Sequence, residues 1–153
     1  HLITKENNIG PGDSFNLGFK WISNNSTSNE DLIVTMEADN TSDYNILHNM
    51  VVISQLGFDL VLASPYAQGG GFDKTSFFRK TLSHIANGFL RYSFNIKVLT
   101  LSSFNRVYKI TLLKKIIEKY KEPIEEKGFI CMLEILIKSI NSFASIIEVP
   151  MIL

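Results

Sequence analysis

Glu37 and Asp39 stand one small residue apart at the end of the apolar run Leu-Ile-Val-Thr-Met over residues 32–36. A short, partly β-branched apolar run reads as a buried strand. In an open α/β sheet, ligands bind beyond the carboxyl ends of the strands. Two carboxylates held at such a tip repel each other, and a hard divalent cation with oxygen ligands relieves that repulsion. The same pattern also fits an acidic turn capping the next helix. The residues by themselves leave both readings open.

The elements that must carry this acidic pair follow from the rest of the chain. Its 153 residues suffice for one domain with a real core, and 45% hydrophobic with 20% charged residues is ordinary globular composition. Formal net charge is zero, so no broad field argues for nucleic acid as a partner. The single Cys131 excludes an internal disulfide and a multi-cysteine zinc site. No apolar run is long enough to span a bilayer. The chain opens at His1 without an initiator Met, which suggests a piece of a longer protein.

Helical spacing of Phe15, Phe19 and Ile22 predicts a helix over residues 12–23. After the acidic strand, further helices are expected at 43–56, 76–94, 111–120 and 128–142. Strands are expected at 58–63 and 145–149, and residues 101–108 read as a loop and short strand. Strands alternating with helices predict an α/β fold, with a mostly parallel sheet flanked by helices and strand 32–36 at its centre.

Six segments now come in a characteristic order. They are Gly10 to Lys20, Glu37-Ala38-Asp39, Ala63-Ser64-Pro65-Tyr66 with Gly69-Gly70-Gly71, Arg79 to Ser83 with Ala86-Asn87, Thr100 to Tyr108, and Glu148-Val149-Pro150. Together they resemble the family 2 inverting glycosyltransferases, in the branch of the dolichol-phosphate mannose synthases. The resemblance covers nearly the whole chain. It implies a Rossmann-like sandwich of the GT-A type, here a single incomplete catalytic domain comprising the metal and acceptor side. The nucleotide-binding half would precede residue 1.

The resemblance also implies roles. The acidic motif of the family is usually Asp-x-Asp. Asp39 matches it, Glu37 is one methylene longer, and Thr41 falls where some members place a polar group on the metal. Mg²⁺ or Mn²⁺ would be the cofactor, a nucleotide-sugar the donor and a polyprenyl phosphate the acceptor, at the cytoplasmic face of a membrane with peripheral contact. Arg79 and Arg106 match basic positions and would act as catalytic cations on phosphate oxygens, which a guanidinium fork engages in pairs. By their own chemistry, Ser102 and Ser103 could offer hydroxyls to phosphate from a loop or simply close a turn. Transfer to a carbohydrate hydroxyl, or a non-catalytic binding module, are the alternatives.

Other chemically suggestive residues have plainer expected roles. Gly69 to Gly71 lack the lysine of a P-loop and read as a flexible flap. Trp21 is expected in the core beside Phe15 and Phe19. His48 and His84 read as packing or surface residues, Cys131 as an inert core thiol, and Glu134 as a solvated helix position.

Overall fold

The computed structural model describes residues 2–37, 44–72 and 77–152, with the backbone only at 77–80 and 82. In chain order the elements are α1 (Pro11–Asn25), β1 (Leu32–Thr35), α2 (Tyr44–Gln55), β2 (Leu60–Ser64), α3 (Phe77–Ser93), β3 (Arg106–Lys109), α4 (Ile110–Tyr120), α5 (Cys131–Asn141) and β4 (Ile146–Pro150). The alternation of helices and strands expected from hydrophobic spacing is present.

The sheet differs from expectation in direction and order. Its strands run β1-β3-β2-β4. Only β2 and β4 are parallel; β3 lies antiparallel to both β1 and β2. The sheet is therefore mixed, and β1 is an edge strand among the described residues. Residue pattern encodes which face a strand buries, not its neighbour or direction. The direction of β3 is set by the route of the chain before it. Segment 99–105 lies at the end of the sheet where β1, β2 and β4 finish, so β3 starts there and runs back. Ala63 near the end of β2 donates its N–H to the carbonyl of Asn105, just before β3, at 3.0 Å.

Both faces of the sheet are covered. Leu60 and Leu62 of β2 pack with Tyr108, with Phe19 of α1 and with the apolar stripes of α4 and α5. Val61 and Ala63 point the other way, against Ile46 and Met50 of α2. Every residue of β2 is buried, which is why residues 60–63 read as one continuous apolar run.

Two local expectations are corrected by geometry. Phe15, Phe19 and Ile22 share the inner face of α1, but Trp21 lies two residues, about 200°, from Phe19 and is exposed. Glu134 is a partly buried, hydrogen-bonded position rather than a freely solvated one. Its carboxylate accepts the N–H groups of Glu125 and Glu126 at 3.0 and 2.9 Å and pairs with Lys138 at 2.6 Å. Lys138 in turn donates to the Glu122 carbonyl at 2.9 Å. Together they bind segment 122–127 as a strap across α1, where the N–H of Gly12 donates to the carbonyl of Lys127 at 2.9 Å.

Candidate functional site

Where β1, β2 and β4 end and β3 begins, a cleft of about 150 Å³ opens. Glu37, just past β1, stands on its wall. Pro65, Tyr66 and Phe72 follow β2, Ser83 comes from α3 and Met151 lies just past β4. Thr100, Ser102, Ser103, Phe104 and Asn105 come from the loop that leads into β3. The cleft lies beyond the carboxyl ends of strands, as open α/β sheets place their ligands. The reversed β3 adds a loop that enters a strand.

Loop 99–105 is held by side chains from four elements. Glu148 of β4 accepts the N–H groups of Leu99 at 2.7 Å and Thr100 at 2.8 Å. Arg106 donates from Nε to the Ser103 carbonyl at 2.6 Å and from Nη2 to the Leu101 carbonyl at 2.9 Å. Thr35 at the tip of β1 donates its hydroxyl to the Phe104 carbonyl at 2.7 Å. Asn87 of α3 donates to the Leu99 carbonyl. Within the loop, the Asn105 N–H donates to Ser103 Oγ at 3.2 Å.

The structure places the expected site residues unevenly. Glu37, Ser102 and Ser103 meet in the cleft. Ala38, Asp39 and Thr41 lie outside the described residues. Arg79 falls in the first turn of α3, the helix that also sends Ser83 to the cleft, and its side chain is outside the description. Arg106 is fully buried. Besides the two loop carbonyls, its fork donates to the Met132 carbonyl at 2.8 Å and, at a long 3.4 Å, to the Tyr108 hydroxyl. In this geometry Arg106 supports the wall from behind rather than reaching into the cleft.

The glycine run is seated, not free. Gly69 has φ +91°, which favours glycine, and a Cβ on Gly70 would sit 2.6 Å from the Ser64 carbonyl oxygen. The Gly71 N–H donates to the Met151 carbonyl at 3.0 Å. Residues 69–71 thus close against the ends of β2 and β4. Tyr66 stands beside them, edge-on to His84 at 4.8 Å and to Phe72 at 5.4 Å, with its hydroxyl 2.6 Å from Ser83 Oγ. His84 is thus a packing residue of α3, set against Tyr66 and Phe72.

Sequence reasoning assigned no task to Tyr66, Thr100 or Glu148. For Glu148 a signal was present. A carboxylate inside the apolar strand Ile-Ile-Glu-Val needs hydrogen-bond donors, because burying a charge without them is expensive.

Burial also acts on two groups behind the wall. The Cys131 thiol is pushed up by its apolar surroundings, consistent with an inert core residue. Burial raises the Tyr108 phenol, and the neighbouring Arg106 only partly offsets this. A folded-state value above the unfolded one means that this contribution is complete below the unfolded value, about pH 10, and fades as pH rises toward the folded value. Tyr108→Phe should therefore flatten the alkaline loss of stability, measured as urea midpoints from pH 8 to 11. Parallel curves for the two proteins would exclude Tyr108 as a source of that loss.

Among the described residues, no three carboxylate, imidazole or thiol groups cluster closely enough to hold a metal by themselves. No helix among them is long and apolar enough to cross a membrane. No protein-family model matches the chain. The chain is similar to the polyprenol monophosphomannose synthase of Mycolicibacterium smegmatis, at 25% identity over 150 residues. That match takes in 98% of this chain and 54% of the relative, so the chain spans about half the length of the curated protein it matches.

Proposed function

We propose that the intact protein is a family 2 glycosyltransferase of GT-A type that moves a sugar from a nucleoside-diphospho-sugar to a polyprenyl phosphate. One observation carries the reading. Five of the six segments that resemble the family send residues to one cleft or hold its wall: the acidic segment through Glu37, then Tyr66, Ser83 with Asn87, the loop before β3, and Glu148. The similarity to a polyprenol monophosphomannose synthase along nearly the whole chain supports the same substrate class.

The donor set suits a hard cation. Glu37, Ser102 and Ser103 offer oxygen, with neither thiol nor imidazole on the cleft wall among the described residues. Mg²⁺ or Mn²⁺ would be held by Glu37 with Asp39 and Thr41, and when bound it neutralises the leaving diphosphate. The chain's own residues orient the reactants. Ser102 and Ser103 present hydroxyls to phosphate oxygens, Tyr66 and Phe72 wall off one side, and Arg79 at the start of α3 meets the acceptor phosphate. A phosphate acceptor is already an anionic nucleophile and needs no protein base. Ile85, Phe89 and Tyr92 form an exposed stripe along α3, which suits peripheral contact with the membrane that carries such an acceptor.

The test is sugar transfer by the intact protein to a short-chain polyprenyl phosphate, compared with a carbohydrate hydroxyl acceptor, with Mg²⁺ and after chelation. Transfer to the phosphate that stops on chelation is expected. Arg79→Ala should raise the KM for polyprenyl phosphate tenfold or more, roughly the effect of one charge-assisted hydrogen bond, and leave the donor KM nearly unchanged. Transfer only to the hydroxyl would replace the acceptor; no transfer to either would end the reading.

A further inference from the structure

We infer that Glu148 and Arg106 are positioning residues that clamp loop 99–105 from its two sides, so that the Ser102–Ser103 turn meets phosphate oxygens already in place. The inference rests on the phosphate-binding part of the reading above.

The two charges act on opposite poles of the same backbone. The carboxylate of Glu148 takes N–H groups at the start of the loop, Leu99 and Thr100. The guanidinium of Arg106 takes carbonyls further on, Leu101 and Ser103. Four peptide groups in five consecutive residues are thereby fixed in orientation by two side chains from β4 and β3, the strands on either side of β2. Backbone bonds to charged groups are the strong ones, and a carboxylate with two donors or a fork with two acceptors defines direction as well as distance. Thr35 closes the far end through the Phe104 carbonyl.

The two serines of the loop face the cleft beside Thr100, Phe104 and Asn105. Ser102 is exposed and Ser103 half-buried, and both line the cavity. Ser103 Oγ accepts the Asn105 N–H, which leaves its hydroxyl proton to donate outward. A loop of this kind, if loose, would have to be ordered by each arriving substrate. Held from both sides, it is ordered in advance, and binding of the anion is correspondingly tighter.

Phosphate oxygens could come from the donor's diphosphate or from the acceptor's monophosphate, so two probes are needed. Inorganic pyrophosphate and a short-chain polyprenyl phosphate are each titrated into the intact protein, without sugar transfer, by calorimetry. Because Arg106 lies in the core and its replacement risks global unfolding, Glu148→Gln is the primary variant and Arg106→Lys the second. Against wild type, Glu148→Gln should weaken at least one probe roughly tenfold, and Ser102→Ala with Ser103→Ala should weaken the same probe. Adding Glu148→Gln to the double serine variant should cost nothing further, since a residue that acts through the serines has nothing left to position. Hydrogen exchange at Leu99 and Thr100 should accelerate in Glu148→Gln while amides of β2 and α4 keep their protection.

Whichever probe responds names the source of the phosphate. Additive losses, unchanged exchange at Leu99 and Thr100, or no binding of either probe by wild type would overturn the clamp. If the probes bind and the cycle closes as expected but no sugar is transferred, the clamp stands and the glycosyltransferase reading falls.

Discussion

Asp39→Asn is expected to lower sugar transfer by the intact protein by at least a hundredfold. A cation on a leaving diphosphate contributes several kcal/mol of charge stabilisation, and each 1.36 kcal/mol is a factor of ten in rate. The amide keeps the size of the side chain and removes only its charge. Calorimetric titration of Mn²⁺ in the presence of nucleotide should show the same loss directly. Glu37→Gln, at the cleft wall, should show a smaller loss of the same kind. If Mn²⁺ binds wild type and Asp39→Asn equally, Asp39 is not a metal ligand, and the acidic pair reverts to a helix-capping turn.

Gly12→Ala should be the most damaging single methyl group that can be added to the chain's first helix. A Cβ built on Gly12 would lie 1.8 Å from the Glu126 carbonyl oxygen and 2.9 Å from its carbon. Those atoms are backbone and cannot rotate away. They are also tied down, because Glu134 holds the amides of Glu125 and Glu126 and Lys138 holds the Glu122 carbonyl. Either α1 tilts out or the strap lifts, and both expose apolar surface. Overpacking of this severity costs about 3 kcal/mol, equivalent to a fall of roughly 6–12 °C in Tm for a domain of this size. Gly18, with nothing near its added Cβ, is the control: Gly18→Ala should hold or raise Tm through helix propensity. Equal melting of the Gly12 and Gly18 variants would mean that the strap is not seated on α1.

The elements were legible where one face decides the residue. Hydrophobic spacing located the five helices of the described residues to within about three residues, because an amphipathic helix buries an apolar stripe. The strand before Glu37 was legible for the same reason. The reversal of β3 was not, since Val107 and Tyr108 would alternate between the two cores in either direction. The site divides along a similar line. Ser102 and Ser103 were visible as polar residues in a loop between apolar elements. Arg106 was visible as a charge, but its task depends on which carbonyls surround it, and those belong to residues 101, 103 and 132. Glu134 escaped for the same reason: its partners are amides of a segment eight and nine residues away, invisible to a reading by spacing on one helix.

The anchoring of loop 99–105 by Glu148 has a consequence for how the molecule assembles. The bonds from Glu148 to Leu99 and Thr100 span 49 and 48 residues of chain. During synthesis the loop leaves the ribosome well before β4, and it must wait for that strand to dock beside β2. The helices and the β1–β3 pair can therefore gather while the cleft is still unformed. A nascent chain arrested before residue 146 should contain much of the secondary structure that precedes it and no competent site, so that substrate recognition switches on when that single strand docks.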